Sequence, residues 1–254
     1  MLTNAIIKQI KSLHSKSERK TTGLFISEGD KICKEIISSN LNIKGIYALQ
    51  QWIDENKKPL EHFSNVNIIS EKDLSRISGQ KTPNKVLIVA EIPKPSIQDL
   101  IISNNITIVL ENIQDAGNLG TIIRTADWFG IKNIVCSPDT VELFNPKVVQ
   151  SSMGSILRTK VIYTPLEEFF NTISKEIKVY GAFLKGESIK DINFPSECIL
   201  VFGNESNGIS EKLLKFITNK TTIPSFLAND YDSGAESLNV AIAVATYLSR
   251  IKLS

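Results

Sequence analysis

The sequence predicts a two-domain α/β protein. Short apolar runs rich in Val and Ile alternate with helical patterns over 254 residues, which is typical of repeated βα units. A stretch with two prolines, EIPKPSIQDL, interrupts this alternation once and is typical of a linker. The apolar content of 42% is enough for two hydrophobic cores. We therefore predict a domain at residues 1–94, a linker at 95–104 and a domain at 105–254.

The first domain begins with a predicted amphipathic helix over residues 3–15. Its apolar residues Ile6, Ile7, Ile10 and Leu13 recur at helical spacing. Basic residues lie among them and just after them, and such a helix either binds phosphates or forms an ordinary solvated face. The candidates for phosphate contact are Lys8, Lys11, Lys16, Arg19 and Lys20.

Alternating strands and helices make up the rest of the first domain. The pattern predicts a strand in GLFISEGD, a helix in KICKEIISS, strands in NIKGIYAL and VNIIS, a helix at Glu71–Ile77 and a strand in KVLIVAEI. These elements together predict a small α/β sandwich.

The second domain is predicted to contain a parallel sheet. Its strand candidates are apolar runs without clean alternation, as expected for strands that are covered on both faces. The last helix is predicted from Ser237 to about Ile251, with Leu238, Ile242, Ala245 and Leu248 at helical spacing. The strands are predicted in ITIVLE, NIVCS, VIYT, VYGAFL, CILVFG and KTTIP.

Charge is distributed unevenly between the two halves. Residues 1–94 carry 15 Lys and Arg against 10 Asp and Glu, a net charge of +5, and the remainder carries −3. A basic first domain indicates a polyanionic partner. Ordinary surface lysines are the alternative explanation.

The three cysteines do not have the spacing of metal ligands, and we predict no metal site. Cys136 and Cys198 lie in apolar runs and are expected to be buried thiols, which suits a reducing compartment. No apolar run reaches the roughly 18 residues of a membrane span. Lys8 and Lys11 interrupt the N-terminal apolar stretch, so it lacks the pattern of a signal peptide. We expect a soluble, cytoplasmic protein.

Three polar segments each follow a predicted buried strand, which is where α/β proteins bind ligands. The first is LENIQDAGNLGTIIRTADWFG, from Leu110 to Gly130. It predicts a helix from about Thr121 to Phe129, capped by Asn118 and ended by Gly130. Arg124 is not explained by the helix dipole, which favours anions near the N-terminus. Arg124 therefore pairs with a carboxylate, binds a ligand or is a plain surface residue.

The second segment is ILVFGNESNGIS, which ends at Ser210. Gly203 and Gly208 can adopt conformations that are closed to other residues. Glu205 is held on the turn between them, either as a ligand-binding group or as a cap for the next helix.

The third segment is IPSFLANDYDSGAESLNVAIA, from Ile223 to Ala243. Ser237 is the predicted N-cap of the last helix, and Asn239 is predicted in its first turn. The small residues Ala241, Ala243 and Ala245 allow another helix to approach closely.

In this order and spacing, and together with NPKVVQSSMGS, the three segments resemble the motifs of the SpoU/TrmH family. That is a family of S-adenosylmethionine-dependent RNA 2′-O-ribose methyltransferases. The resemblance implies a C-terminal parallel-sheet SPOUT domain with a trefoil knot and a homodimer formed through the knot and the C-terminal helix. It also implies a preceding L30e-like RNA-binding domain, by a looser match. Without the resemblance an ordinary doubly wound fold would be expected, because knots are very rare.

The resemblance carries over to particular residues of this chain. Asn118, Gly120 and Arg124 match the first motif. It implies a catalytic set of Arg124, Asn118, Glu205, Ser237 and Asn239. The implied S-adenosylmethionine-binding residues are Gly203, Glu205, Gly208, Ile223, Ser237, Leu238 and Asn239.

The role of Arg124 stays open between a general base, stabilisation of the developing alkoxide and a grip on the adjacent phosphate. A guanidinium is a poor base because it holds its proton tightly. The segment Ser225–Glu236 is longer than is usual in the family and carries Asp230, Tyr231 and Asp232. This departure puts cofactor binding in question.

The rival interpretations are a methyltransferase acting on a base nitrogen and a non-catalytic RNA- or ribosome-binding protein. An ordinary nucleotide-binding enzyme is disfavoured because neither G-x-G-x-x-G nor a Walker sequence occurs. Ribosomal RNA is favoured over transfer RNA because the basic first domain is separate.

Overall fold

The computed structural model describes residues 2–94, 96, 98, 100, 102–226 and 235–253. The chain divides into two compact units. Unit 1 comprises Met1–Lys94 and Glu142–Leu157, and unit 2 comprises Pro95–Val141 and Arg158–Ser254. The grouping of residues 142–157 with the N-terminal residues is not predicted by the sequence. The sequence-based domain boundaries stay a prediction.

Most of the strands lie where apolar, β-branched residues are concentrated, and the edge strand β10, with the sequence NKTT, is an exception. They are β1 (Leu24–Glu28), β2 (Ile43–Ala48), β3 (Val66–Ile68), β4 (Val86–Glu91), β5 (Ile106–Leu110), β6 (Asn133–Cys136), β7 (Lys160–Tyr163), β8 (Lys178–Ser188), β9 (Cys198–Phe202) and β10 (Asn219–Thr222).

Five of the eleven helices named below begin at a polar capping residue, whose side chain accepts a hydrogen bond from a first-turn N–H group. Thr3, Ser70 and Asn145 do so in unit 1. The helices are α1 (Asn4–Ser12), α2 (Lys16–Thr22), α3 (Asp30–Ile37), α4 (Gln50–Glu55), α5 (Lys57–Leu60), α6 (Glu71–Ile77), α7 (Ala116–Trp128), α8 (Pro146–Ser151), α9 (Leu166–Thr172), α10 (Glu211–Leu214) and α11 (Val240–Lys252).

Unit 1 is built on a four-stranded mixed sheet in the order β1-β4-β2-β3. Strand β4 is antiparallel to β1 and β2, and β2 is parallel to β3. One core cluster contains the fully buried Trp52 and receives Phe144, Val149 and Ile156 from the segment 142–157. Burial of one such side chain contributes about 1.5–3 kcal/mol. The segment 142–157 is therefore an integral part of this core. A second cluster holds α1 and α6 against the sheet.

Unit 2 is built on a six-stranded parallel sheet in the order β10-β8-β9-β5-β6-β7. All of the neighbouring strands run parallel. Every residue of β5, β6 and β9 is buried, which is expected when both faces of a sheet are covered. The predicted α/β class with a parallel C-terminal sheet is confirmed. The knot stays a prediction.

The three cysteines are free and buried, as predicted for Cys136 and Cys198. Burial raises the pKa of the Cys198 thiol to about 12 and raises the pKa values of Cys33 and Cys136 well above their ordinary range. These thiols are therefore protonated at neutral pH and do not act as nucleophiles. Among the described residues, no helix is both long enough and apolar enough to cross a bilayer.

Candidate active site

The candidate site lies in unit 2, at the carboxyl ends of neighbouring parallel strands. Strands β5 and β9 are paired, with Leu110 beside Phe202, and their ends are level because Glu111 N donates to Phe202 O at 2.9 Å. The loops that follow the two strands consequently leave the sheet side by side. These loops carry the first and second sequence motifs, and such a position is typical of ligand sites in parallel sheets.

The first loop leads into α7 five residues earlier than predicted. Helix α7 starts at Ala116, and Asp115 is its cap, because the Asp115 carboxylate accepts a hydrogen bond from Asn118 N at 2.9 Å. The predicted start at Thr121 with Asn118 as cap is wrong, since an aspartate caps a helix as well as an asparagine does. Asn118 lies instead in the first turn, where its side chain is available for other contacts. Gly130 ends the helix with φ of 71°, as expected.

The second loop is a tight turn closed by Asn204 and Gly208. The two residues exchange backbone hydrogen bonds of 3.1 and 2.8 Å. The Asn204 side chain accepts hydrogen bonds from Ser206 N and Asn207 N and donates one to Asn112 O at 2.9 Å. The turn is thereby fixed with Glu205 exposed on it.

The two glycines of this turn have different roles. Gly208 has φ of 67°, a conformation that side chains disfavour. Gly203 does not need an unusual φ; a Cβ there would lie 2.1 Å from the backbone carbon of Gly208. Gly203 is therefore required by the close approach of two backbone segments.

The third motif leads into α11, which begins at Val240 and not at Ser237. Asn239 is the cap, because its Oδ1 accepts hydrogen bonds from Ala241 N at 2.9 Å and from Ile242 N at 3.4 Å. The prediction of Ser237 as cap and Asn239 within the first turn is wrong. Ser237 lies exposed before the helix.

A buried contact holds α11 against the edge strand β10. The hydroxyls of Thr221 and Tyr247 are 2.8 Å apart, and Thr221 also donates to Gly181 O at 2.9 Å. Burial raises the pKa of Tyr247 to about 12, so the phenol keeps its proton at neutral pH. This contact positions α11 from within the core.

Hydrogen bonds between side chains join the three motifs. Asn239 Nδ2 donates to Asn118 Oδ1 at 3.0 Å, and Asn118 Nδ2 donates to Glu205 Oε1 at 2.8 Å. We call these three residues the Asn–Asn–Glu row. The row fixes the orientation of the Asn118 amide, because its oxygen accepts from one partner and its nitrogen donates to the other. Residues far apart in the sequence thus form one polar surface that is open to solvent.

Arg124 does not belong to this row. It is exposed, and it makes no hydrogen bond or ion pair within the part of the chain that the structure describes. It follows Asn118 by six residues, which places it about 120° around α7. The structure of one chain therefore does not bring Arg124 and Asn118 onto the same helix face.

The remaining residues of the predicted cofactor set are Ile223, which follows β10, and Ser237 and Leu238, which directly precede Asn239 in the chain. Ile223 is half-buried just beyond β10, and Leu238 is exposed before α11. The backbone groups of Ser237 and Leu238 make no hydrogen bond to any described residue. The predicted contributions of Asp230, Tyr231 and Asp232 fall outside the described residues. Within the described ranges, no group of three His, Cys, Asp or Glu side chains is arranged to hold a metal ion.

The predicted phosphate-binding residues of unit 1 do not behave alike. Lys8, Lys11, Lys16 and Lys20 are exposed. Arg19 is only 2% exposed, forms an ion pair with Glu142 and donates to Leu13 O at 2.6 Å. The prediction that Arg19 contacts an RNA phosphate is wrong, because its guanidinium bonds inside unit 1 and is closed to an external phosphate.

Two residues that organise the site were missed. Asp115 orders the start of α7, and Asn204 orders the second loop. Each residue lies in a local pattern that favours its role: Asp115 stands at the start of a helical segment, and Asn204 stands before a short polar turn.

Known protein families match both parts of the chain. The SpoU rRNA methylase family matches residues 105–249, more than half of the chain. The chain belongs to this family. An MRM3-like substrate-binding domain matches residues 4–88. The protein is therefore an RNA methyltransferase with a separate substrate-binding region.

Individual relatives agree with this membership. The chain is 30% identical over 253 residues to the 23S rRNA (guanosine(2553)-2′-O)-methyltransferase RlmP of Bacillus subtilis, covering 98% of this chain and 96% of that protein. A TrmH-family structure from Porphyromonas gingivalis matches with a TM-score of 0.87 and 33% identity, covering 100% and 99% of the two chains. An AdoMet-bound rRNA methyltransferase from Sinorhizobium meliloti matches with a TM-score of 0.87 and 27% identity, covering 100% and 96%.

Proposed function

We propose that this enzyme transfers the methyl group of S-adenosylmethionine to a ribose 2′-hydroxyl of ribosomal RNA. The observation that carries the proposal is the Asn–Asn–Glu row, which joins all three motifs of the family in one exposed surface. The ribosomal substrate is supported by the relatives, of which RlmP is named for methylating 23S rRNA. The buried, free cysteines suit the reducing cytoplasm, where we expect the enzyme to act.

The residues around the row have the chemistry that S-adenosylmethionine requires. The backbone groups of Ser237 and Leu238 have no partner among the described residues, so they are available to the polar ends of a ligand. Ile223 offers an apolar surface to an adenine ring, and Gly203 and Gly208 keep the second loop compact. These groups would hold the cofactor. When bound, it supplies a methyl group on a positively charged sulfur, which is already a strong electrophile.

The protein must orient the 2′-hydroxyl and stabilise the negative charge that grows on its oxygen. Orientation of two reacting groups lowers a barrier by several kcal/mol. We assign orientation of the target nucleotide to Asn118, Glu205 and Asn239, since their amides and carboxylate are fixed by one another. Ser237, exposed beside Asn239, adds a hydroxyl to this set.

We assign Arg124 to the reacting hydroxyl. A guanidinium can stabilise an alkoxide and can bind the adjacent phosphate through two parallel hydrogen bonds. Arg124 suits this role because it has no partner among the described residues and is exposed.

We further propose that the enzyme is a homodimer and that Arg124 acts with the row of the partner subunit. The position of Arg124 on a different face of α7 from Asn118 supports this arrangement. Large apolar side chains of unit 2 also remain exposed, with Trp128 at 85%, Ile242 at 53% and Leu238 at 50%. Of the three alanines that are expected to allow another helix to approach, Ala241 is buried inside unit 2, whereas Ala243 and Ala245 are half-buried, and their contact with a partner stays a prediction.

The proposal is tested by supplying the full chain with labelled S-adenosylmethionine and, separately, ribosomal subunits, naked ribosomal RNA and transfer RNA. We expect label in ribosomal RNA, in a dinucleotide that resists alkaline cleavage because the 2′-oxygen is blocked. Label that is released as alkaline mononucleotides would indicate methylation of a base and contradict the proposal. Sedimentation at micromolar concentration tests the dimer, and a monomer under these conditions would rule out the shared site.

A further inference from the structure

Unit 1 contains a second candidate binding site, which shares no residue with the Asn–Asn–Glu row. It is an open cavity of about 280 Å³. Its lining comes from four parts of unit 1: the residue His14 after α1, strand β1, the turn after α6 and the start of α8. The volume is just below the range of pockets that hold drug-sized ligands, so it suits a ligand of about one ring system.

The cavity combines an apolar floor with a polar rim. Ile26 and Val149 are buried and supply the apolar surface. The imidazole of His14 forms one wall and packs closely over Gly79, where a Cβ would lie 2.4 Å from the ring. Such a lining suits a flat ligand that has apolar faces and polar edges.

Two side-chain amides on the rim have no hydrogen-bond partner among the described residues. Gln80 and Gln150 both line the cavity, and their amides make no hydrogen bond within unit 1. Each amide offers donors and an acceptor. They are therefore available to read the edge of a ligand that carries both kinds of group.

The carboxylate of Glu28 also lines the cavity, and its orientation is fixed by the protein. It accepts hydrogen bonds from the Ser78 hydroxyl and from Gly79 N at 3.0 Å. A carboxylate oxygen can accept more than one hydrogen bond. Glu28 can thus also accept a hydrogen bond from an exocyclic amino group.

The surroundings favour a ligand attached to phosphates. Lys147 lies on the rim, and the exposed Lys11 and Lys16 flank His14 in the sequence. Residues 1–94 carry a net charge of +5. Single-stranded RNA binds in such places by inserting an unstacked base beside a ring and by hydrogen bonds to the base edge.

We propose that this cavity binds one unpaired nucleobase of the RNA substrate, with Gln80 and Gln150 reading its edge and Ile26, Val149 and His14 contacting its faces. Adenine, guanine and cytosine, which carry an amino group for Glu28, bind more tightly than uracil. The inference rests on the proposed RNA substrate. It assigns to unit 1 a contact with a base, in addition to contacts with the phosphate backbone.

The test measures binding of a five-residue RNA backbone that carries one central base, compared with the same backbone without any base. Binding to the full chain is followed by chemical-shift titration, which detects millimolar affinity. We expect the base to improve the affinity of the unmodified protein by about tenfold, in line with 1–3 kcal/mol for one base. The Gln80→Ala/Gln150→Ala protein should lose this gain and bind both RNAs equally.

The matched control is Gln9→Ala, an exposed glutamine of α1 outside the cavity, which should keep the tenfold gain. The proposal is overturned if the base raises the RNA affinity of the unmodified and double-variant proteins equally. It is also overturned if the base does not raise the affinity of the unmodified protein. Methylation of ribosomal RNA by the unmodified protein is measured in parallel. If the protein methylates RNA but the base does not raise its affinity, only the proposed base-binding role of the cavity is refuted. If the protein is inactive on every RNA, the proposed function is refuted.

Discussion

Two arginines of this protein were predicted from the sequence to serve RNA, and the structure places them in opposite environments. Arg19, in unit 1, is 2% exposed and is held by Glu142 and by the carbonyl of Leu13. Arg124, in unit 2, is exposed and has no partner among the described residues. The guanidinium of Arg19 therefore stabilises the fold of unit 1, whereas the guanidinium of Arg124 remains available for chemistry.

The local sequence around a basic residue in a helical pattern therefore does not reveal the partner of that residue. Arg19 lies among lysines that are exposed, and nothing local separates it from them. Its partner Glu142 is 123 residues away in the sequence. Only the packing of residues 142–157 within unit 1 brings the two together.

The largest expected effect is on catalysis. Arg124→Ala should lower the rate of methyl transfer by about 10²–10³-fold or more, since it removes the charge that stabilises the reacting oxygen. Affinity for S-adenosylmethionine and thermal stability should change little, because Arg124 makes no hydrogen bond or ion pair with any described residue. Single-turnover rates and calorimetry measure these quantities.

The control for that variant is Arg158→Ala, which removes another arginine of unit 2 that pairs with Asp127 at 2.8 Å. It should retain transfer within a few fold. Near-normal transfer by Arg124→Ala would contradict the catalytic assignment.

Arg19→Ala is expected to have the next largest effect, on the stability of unit 1. Removal of one partner leaves Glu142 without its counter-charge, at a cost of about 2–4 kcal/mol. Urea unfolding followed by circular dichroism measures the loss. Lys20→Ala, at an exposed neighbour, should change stability by less than about 0.5 kcal/mol. If Arg19→Ala instead weakened RNA binding at unchanged stability, the structural role assigned to Arg19 would be wrong.

The two tasks of Asn239 can be separated. Asn239→Ser should still cap α11, since serine is a good cap, but its short hydroxyl cannot replace the amide that bonds to Asn118. We expect about a tenfold lower transfer rate, as for one lost hydrogen bond of about 1–1.5 kcal/mol, at unchanged stability. Asn239→Ala should also lose about 1 kcal/mol of stability. Equal transfer rates for Asn239→Ser and the unmodified protein would show that the row is not needed for catalysis.

The smallest effects are expected from single lysines of unit 1. Replacement of Lys8, Lys11, Lys16 or Lys20 by alanine should each weaken RNA binding about two- to threefold at moderate salt. The slope of log K against log salt should fall by about 0.7 for each lost phosphate contact. Lys58→Ala, on the separate helix α5, is the control. A quadruple variant with an unchanged salt slope would exclude the lysines of α1 and α2 from contact with RNA.

Local pattern predicted most of the fold correctly. The helix at Glu71–Ile77 has the predicted bounds, and the strand segments of both sheets lie where apolar runs occur. Helix starts were less accurate at the site, where several capping residues stand close together. Asp115 caps α7 in place of Asn118, and Asn239 caps α11 in place of Ser237. In each case the cap is the residue whose side chain reaches a free N–H group of the first turn.

The α/β class, the parallel sheet of unit 2 and the family are readable from the amino-acid sequence, because they depend on the order of apolar runs and short motifs. Three features emerge only when the chain is folded: Arg19 is closed to RNA, Asn239, Asn118 and Glu205 meet, and residues 142–157 complete the core of unit 1. Each of these features joins residues that are far apart along the chain. Hydrogen bonds and ion pairs between residues separated by 87–123 positions depend on how the elements pack, and this packing is not encoded in any local pattern.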